Sequence, residues 1–336
     1  MNSSALVRSP ESRVREEHQP DFADGVCDLE SRSLHYKLFV PERTGGAPAP
    51  LLLMLHGCGQ DAQDFSAGTQ MNAIAQEAGM YVLYPSQSRS ANANNCWNWF
   101  VPEHQTRDGG EPAALSTLTR FIMESHPVDP QQVFVAGLSA GGAMALILAE
   151  QYPELYSAVG VHSGLPSGAA SSMMEAFRLM SQSATGASLP DGLSNAVTDM
   201  SPRRKVSANS RSSTGNATTA GIHTPLIVFH GDNDRTVNCA NAERIVGNWL
   251  ERETARLGDV NWQTTSMIHA TASGRRSVVT TYSAESVPER AACEYWRLID
   301  GGHSWSGGSA AGSYTDTAGP NASVEMVRFF LDRIAA

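Results

Sequence analysis

A serine between two glycines is the first residue whose surroundings suggest chemistry. Ser139 lies in Gly137-Leu138-Ser139-Ala140-Gly141, a G-x-S-x-G pattern, after the apolar run 133–136 and before an Ala-, Met- and Leu-rich stretch at 141–151. A buried strand followed by a helix is the context this motif requires, because the tight turn strains the backbone and exposes the serine Oγ above the sheet edge. The pattern predicts a nucleophile. The structural alternative is a small-residue turn that only packs a helix on a strand.

A serine hydroxyl becomes a useful nucleophile only when a base accepts its proton. In strand–turn–helix hydrolases the chain order is Ser, then Asp or Glu, then His. His303, in the glycine-rich segment GGHSWSGG, is the only histidine beyond residue 270 and is therefore the predicted base. Asp234, in HGDND after the apolar run 226–229, is the preferred acid, with Asp232 as the alternative in the same turn. His56 and His230 each begin a His-Gly pair after a predicted strand, and we expect them to be structural.

An acyl-transfer enzyme also needs hydrogen-bond donors for the oxyanion that forms on the attacked carbonyl. The backbone N–H of Ala140, directly after Ser139, is one candidate. The loop His56-Gly57-Cys58-Gly59-Gln60 follows the apolar run 51–55, and its glycines would allow the backbone to approach a substrate. The N–H of Cys58 is the predicted second donor. A simple tight turn is the alternative interpretation of this loop.

The elements that must position these residues alternate between strands and helices. Short apolar runs predict buried strands at 51–55, 80–84, 133–136 and 226–229, with a closing pair at 278–282 and 294–299 and an edge strand at 34–40. Helices are predicted over 70–78, 112–125, 141–151, 241–251 and 322–334. This alternation predicts an α/β fold with a mostly parallel central sheet and helices on both faces.

The domain organisation follows from where the alternation of predicted strands and helices is interrupted. Residues 1–27 are predicted to be a flexible N-terminal arm, and 28–336 a single catalytic domain. A low-complexity insertion at about 166–224, rich in Ser, Ala, Gly, Asn and Thr, contains one short helical patch, MMEAFRLM. It could form a lid or pocket wall, or a plain loop.

Composition excludes several classes of protein. The chain has 336 residues, 17% of them charged, and a formal net charge of -10, which argues against a nucleic-acid partner. No apolar run approaches the roughly 18 residues of a membrane helix, so no membrane span is expected. The five cysteines form no CxxC pair, and neither a metal site nor a cofactor is expected. The first twenty residues lack the apolar core of a secretory signal, which predicts either an intracellular protein or a chain that is not the full precursor.

Five segments together resemble the polyhydroxybutyrate (PHB) depolymerase family of esterases, over about residues 30 to 335. They are HGCGQD from His56, CWNWF from Cys96, GLSAGG from Gly137, HGDND from His230 and GGHSWSGG from Gly301. The resemblance implies an α/β-hydrolase fold, a triad of Ser139, Asp234 and His303, and an oxyanion hole formed by the N–H groups of Cys58 and Ala140.

The same resemblance implies further roles. It suggests a disulfide between Cys58 and Cys96, with Cys239–Cys293 as a second candidate pair for which two free thiols are the alternative. Aromatic residues near the crevice contact the acyl chain in this family, so Trp99 and Trp305 are candidates, with core packing as the alternative role.

The resemblance also suggests what the protein does. It implies a serine esterase acting on short-chain polyhydroxyalkanoate polyester or its oligomers; the alternatives are a feruloyl or acetylxylan esterase and, more remotely, an inactive hydrolase-fold binding module. Secreted members of the family carry a signal peptide and a polymer-binding domain after the catalytic one. This chain ends at Ala336 directly after its last predicted helix, so no separate polymer-binding domain is expected in it. Family and disulfide favour an extracellular location, in conflict with the missing signal.

Overall fold

A computed structural model places most of the chain. The structure describes residues 21–29, 32–43, 46–181, 224–258, 260–286, 288 and 292–332. Most of the predicted insertion, 182–223, and most of the predicted arm, 1–20, lie outside the described residues.

Within these residues, ten strands form one sheet in the spatial order β1-β2-β4-β3-β5-β6-β7-β10-β9-β8. The strands are β1 Asp21–Asp28, β2 Ser33–Val40, β3 Ala49–Leu55, β4 Tyr81–Ser86, β5 Val128–Leu138, β6 Ala158–His162, β7 Leu226–Gly231, β8 Trp262–Ala270, β9 Arg276–Ala284 and β10 Cys293–Leu298. The six strands in the middle of this order run parallel to one another: β4, β3, β5, β6, β7 and β10. Antiparallel strands extend the sheet on both sides, with β2 and β1 beyond β4 and with β9 and β8 beyond β10. A separate two-stranded ribbon pairs β11 Trp305–Ser306 with β12 Thr315–Asp316.

Helices cover both faces of the sheet. They are α1 Ala62–Thr69, α2 Met71–Ala78, α3 Gly110–Ser125, α4 Ala140–Gln151, α5 Met173–Ser181, α6 Ala240–Leu257 and α7 Ala322–Leu331, with a short 3-10 helix at Pro102–Gln105. The core on one face receives side chains from α3, α4 and α6, and the core on the other from α1, α2 and α7. The predicted fold class, an α/β-hydrolase fold, is confirmed.

Strand β3 shows why a continuous apolar run predicted a buried parallel strand. Leu51, Leu53 and Leu55 point into the first core, whereas Leu52 and Met54 point into the second. Successive side chains of a strand face opposite sides, so a strand covered by helices on both faces needs apolar residues at every position.

Several elements differ from the prediction. Residues 21–27, assigned to the flexible arm, belong to β1, which pairs with β2 along its whole length. Cys27 is the one described side chain of β1 that is fully buried, so the strand lacks the alternation that would have revealed it. Because β1 occupies the sheet edge, β2 is not the predicted edge strand. The helical patch at the start of the insertion is confirmed as α5.

Candidate active site

Ser139 occupies a strained turn between β5 and α4. Its φ is 56° and its ψ is -118°, a combination that non-glycine residues rarely adopt. Its backbone N–H donates to the carbonyl oxygen of His162 at 2.8 Å, and the residue is 7% exposed. The turn therefore holds the hydroxyl at the carboxyl edge of the parallel strands.

The glycines around Ser139 are required by the packing of α4 on the end of β3. A Cβ added at Gly141 would lie 2.1 Å from the carbonyl oxygen of Leu55, and one added at Gly137 would lie 2.4 Å from the backbone of Gly141. Only glycine permits this approach. Because Ala140 is the first residue of α4, its N–H lacks a partner within the helix and lies at the positive end of the helix dipole.

His303 and Asp234 form a close hydrogen-bonded pair. His303 Nδ1 lies 2.7 Å from Asp234 Oδ2, and the other carboxylate oxygen accepts the N–H groups of Thr236 and Val237, both at 2.8 Å. Burial favours the neutral acid, but hydrogen bonds from His230, His303 and Val237 outweigh it and hold the pKa of Asp234 well below its usual range. An ionised Asp234 keeps the proton on Nδ1 and leaves Nε2 as the basic nitrogen.

The alternative acid, Asp232, lies elsewhere. Its side chain is exposed, and its Oδ1 accepts the backbone N–H of Asp300 at 2.7 Å, in the loop after β10. The structure pairs His303 with Asp234 and not with Asp232.

A buried histidine at the end of β6, missed by the sequence analysis, connects the serine turn to the histidine loop. The carbonyl oxygen of His162 accepts the N–H of Ser139, and its ring Nε2 accepts the N–H of Ser306 at 3.0 Å, three residues after His303. Burial and the neighbouring His230 and His303 lower the pKa of His162 to about 3, so the ring is neutral. Within the described residues, no hydrogen bond joins Ser139 Oγ to His303; such catalytic contacts often tighten only when substrate binds.

The loop after β3 leaves one N–H group available. Gly57 N–H donates to Gln60 Oε1 at 3.0 Å, Gly59 N–H to the carbonyl oxygen of Asn94 at 2.8 Å, and Gln60 N–H to the carbonyl oxygen of Gly57 at 3.3 Å. In the described part of the chain, Cys58 N–H donates to no acceptor. Cys58 N–H, the second oxyanion donor predicted from the sequence, is thus the N–H group that this loop leaves available.

The predicted disulfide between Cys58 and Cys96 is present, with Cα atoms 4.2 Å apart. The second candidate pair is wrong, since no disulfide joins Cys239 to Cys293. Cys293 begins β10 beside Leu226, the first residue of β7, whereas Cys239 follows the loop at the other end of β7. Residues at opposite ends of two paired strands cannot meet the short Cα separation of a disulfide.

The two tryptophans predicted to contact substrate are both buried. Trp305 is 1% exposed, stacks on His162 with ring centroids 5.2 Å apart, and donates its indole N–H to Ser323 Oγ at 3.0 Å. Trp99 is 4% exposed and packs edge-on against Phe100. The structure therefore places both in the core, the alternative role, and their contact with a substrate stays a prediction.

The two His-Gly histidines are buried and bonded to the backbone. His56 Nε2 accepts the N–H of Gln87 at 3.1 Å, its Nδ1 donates to the carbonyl oxygen of Gly57 at 2.8 Å, and burial lowers the pKa of its ring. His230 Nε2 donates to the carbonyl oxygen of Val237 at 2.8 Å and lies 3.5 Å from Asp234 Oδ2. His230 thus supports the acid, a contact that the sequence did not reveal.

The described ranges offer neither a metal site nor a membrane span. No group of three or more His, Cys, Asp or Glu side chains there could hold a metal ion. None of the helices described is both long and apolar enough to cross a membrane.

Comparisons with known proteins agree on a family. The family model for esterase PHB depolymerase matches residues 34–260. The poly(3-hydroxyalkanoate) depolymerase C of Paucimonas lemoignei is 38% identical over 135 residues, which cover 40% of this chain and 32% of that protein. A feruloyl esterase B of Thermothelomyces thermophilus is 32% identical over 134 residues, which cover 40% of this chain and 45% of that protein. The chain therefore spans less than half the length of these relatives.

Among solved structures, an acetyl xylan esterase from Aspergillus awamori superimposes with a TM-score of 0.57 at 18% identity, covering 80% of this chain and 89% of that one. A likeness at this identity supports the fold alone. Because the family model spans well over half of the sequence, the chain belongs to the esterase PHB depolymerase family.

Proposed function

We propose that this protein hydrolyses carboxylic esters through an acyl-enzyme, with Ser139 as nucleophile, His303 as base and Asp234 as its partner. The observation that carries the proposal is the hydrogen bond between His303 Nδ1 and Asp234 Oδ2, because it orients a basic Nε2 in the loop that His162 joins to the Ser139 turn.

The mechanism follows from these positions. His303 Nε2 accepts the proton of Ser139 Oγ as the oxygen attacks the ester carbonyl carbon. The oxyanion that forms accepts hydrogen bonds from the N–H groups of Cys58 and Ala140. The intermediate then collapses, breaking the bond to the alcohol oxygen, which takes the proton from His303. A water molecule, deprotonated by the same nitrogen, then attacks the acyl carbon. The second intermediate collapses by breaking the bond to Ser139 Oγ, which takes the proton back from His303, and the carboxylic acid is released.

For the substrate we propose a short-chain polyhydroxyalkanoate, such as poly(3-hydroxybutyrate) or its oligomers. The family of the chain and the name of its Paucimonas lemoignei relative support this choice. The second candidate is a plant cell-wall ester, because the feruloyl esterase of Thermothelomyces thermophilus and an acetylxylan esterase of Coprinopsis cinerea match similar shares of the chain.

The test compares kcat/KM on a 3-hydroxybutyrate trimer, methyl ferulate and acetylated xylan, with Ser139→Ala as the control for each. We expect the trimer to be cleaved at least about tenfold better than the two cell-wall esters, and the variant to be inactive on all three. A preference of the same size for methyl ferulate or acetylxylan would contradict the polyester assignment. Binding of the trimer without hydrolysis of any ester would contradict the enzyme assignment and favour the binding module.

A further inference from the structure

The side chain of Gln60 joins the loop after β3 to two other parts of the molecule. It is 2% exposed, and both of its polar atoms are engaged. On one side, its Oε1 accepts the N–H of Gly57 at 3.0 Å. That N–H lies immediately before Cys58 N–H, the group that donates to no acceptor in the described residues.

On the other side, the Gln60 Nε2 donates to Asp64 Oδ2 at 2.9 Å and to the carbonyl oxygen of Ser313 at 3.1 Å. Asp64 belongs to α1, and Ser313 lies between β11 and β12, in the segment that follows His303. Asp64 Oδ1 accepts the N–H of Ser313 at 2.8 Å, which closes the network. The segment is thus bound to the loop through one amide.

The charge of Asp64 fixes the orientation of this amide. Partial burial would raise the pKa of Asp64, but hydrogen bonds from Ser313 and Gln60 outweigh it and lower the pKa, so Asp64 is a carboxylate that only accepts. The amide nitrogen of Gln60 must therefore face Asp64, and its oxygen must face Gly57. A flipped amide would place two oxygens together and two N–H groups together.

We propose that Gln60 is a positioning residue for the oxyanion hole, a role that rests on the proposed function. By accepting the N–H of Gly57, its amide oxygen holds the His56–Gly57 peptide plane. The next peptide plane, Gly57–Cys58, carries Cys58 N–H, and the fixed plane before it aims that N–H at the substrate. Its amide nitrogen ties that plane to Asp64 and Ser313, so the loop of the base and the loop of the donor share one support. Donors act on an oxyanion only when they are held in place before the reaction.

The test uses two substitutions at position 60 and a matched control. Gln60→Met keeps the length of the side chain and removes all of its hydrogen bonds. Gln60→Glu keeps an acceptor for Gly57 but turns an oxygen toward the Asp64 carboxylate. Gln63→Glu makes the same chemical change at an exposed position of α1, three residues away.

The readouts are kcat per active site, KM and the inhibition constant of an alkylboronic acid, which mimics the tetrahedral intermediate. Active sites are counted by exhaustive labelling with a fluorophosphonate. For both Gln60 variants we expect kcat to fall roughly 10- to 100-fold, KM to change less than about threefold, and boronate affinity to fall in step with kcat. The Gln63→Glu protein should match the wild type in all three.

A rescue separates positioning from general support of the fold. In the double variant Gln60→Glu/Asp64→Asn, the carboxylate at position 60 accepts from Gly57 and from the new amide at position 64. The contact between positions 60 and 64 is thus rebuilt with its polarity reversed, whereas the hydrogen bond to the carbonyl oxygen of Ser313 stays lost. We expect it to recover at least about tenfold in kcat over Gln60→Glu.

The proposal is overturned if kcat per active site and boronate affinity stay at wild-type values in both single variants, or if the double variant is no better than Gln60→Glu although it folds. If the wild type itself hydrolyses no ester, or if Ser139→Ala remains active, the proposed function fails and not the role of Gln60.

Discussion

At the scale of single residues, the central contact is a buried carboxylate facing an imidazole. Asp234 accepts hydrogen bonds from His303 and from the N–H groups of Thr236 and Val237, and His230 Nε2 lies 3.5 Å from its Oδ2, so it stays ionised despite its burial. An ionised Asp234 stabilises the imidazolium that forms when His303 takes a proton. Asp232, two residues earlier, is exposed and accepts the backbone N–H of Asp300 instead.

The two aspartates should therefore respond differently to the same substitution. We expect Asp234→Asn to lower kcat by about 10³- to 10⁴-fold. The N–H groups of Thr236 and Val237 would hold the amide oxygen, so the new NH2 group would face Nδ1 and favour the wrong tautomer of His303. Asp232→Asn should change kcat less than about fivefold. Steady-state kinetics on a p-nitrophenyl ester would measure both, and comparable losses in the two variants would contradict the pairing.

Only those residues of the site that have a signal in their neighbouring sequence could be predicted. Ser139 and His303 follow from turn chemistry and chain order, and both are residues whose neighbours in the sequence carry the signal. His162 and Gln60 could not be recognised in this way, because their partners at Ser306 and Ser313 lie more than a hundred residues away. The packing of Trp305 in the core could not be recognised for the same reason, because its neighbour Phe65 belongs to the distant α1.

At the scale of elements, the disulfide joins the loop after β3 to the segment after β4. Cys58 carries the N–H that donates to no acceptor in the described chain, and Cys96 precedes Trp97, whose indole N–H donates to the carbonyl oxygen of His56 at 3.1 Å. The covalent bond and this hydrogen bond both fasten the loop to the same neighbouring segment.

Removing this disulfide should affect both stability and catalysis. A closed loop of 38 residues corresponds to roughly 3–4 kcal/mol of stabilisation in the chain-entropy account. We expect the double variant Cys58→Ser/Cys96→Ser to lose about that much free energy of unfolding in urea and to show a lower kcat. Cys239→Ser serves as the control, and its unfolding should resemble the wild type. An unchanged unfolding midpoint in the double variant would contradict this role.

Elements with apolar residues at every position were predicted well, and exposed ones were not. The parallel strands β3, β4, β5 and β7 were all predicted, because burial on both faces leaves a continuous apolar run. The parallel strand β6 is equally buried but was missed, since Gly160 and His162 interrupt its apolar run. By contrast, β8 is exposed along nearly all of its length and was missed. Its pairing with β9 depends on backbone hydrogen bonds, which leave little trace in side-chain type.

At the scale of the whole molecule, the fold buries neutral histidines. Burial lowers the pKa of His56, and burial with the neighbouring His230 and His303 lowers that of His162 to about 3. In the unfolded chain a histidine titrates near pKa 6.5. Between these two values the unfolded state binds protons that the folded state does not, so folding stability falls as the pH drops below about 6.5.

Stability should therefore decline in weak acid. We expect the urea midpoint to be lower at pH 5.0 than at pH 7.5. The His162→Gln variant should be less stable overall but should show a smaller difference between the two pH values. The exposed His35 provides the control, since His35→Asn should keep the wild-type difference. A wild-type midpoint that is equal at both pH values would contradict this role of the buried histidines.

Peptide mass mapping of the residue that a fluorophosphonate labels would test directly whether Ser139 is the nucleophile. We expect one phosphonyl adduct in the native protein, on Ser139, and none in Ser139→Ala or in the urea-unfolded chain. An adduct on another residue, such as the neighbouring buried Ser163, whose φ is also positive, or undiminished labelling of Ser139→Ala, would contradict it.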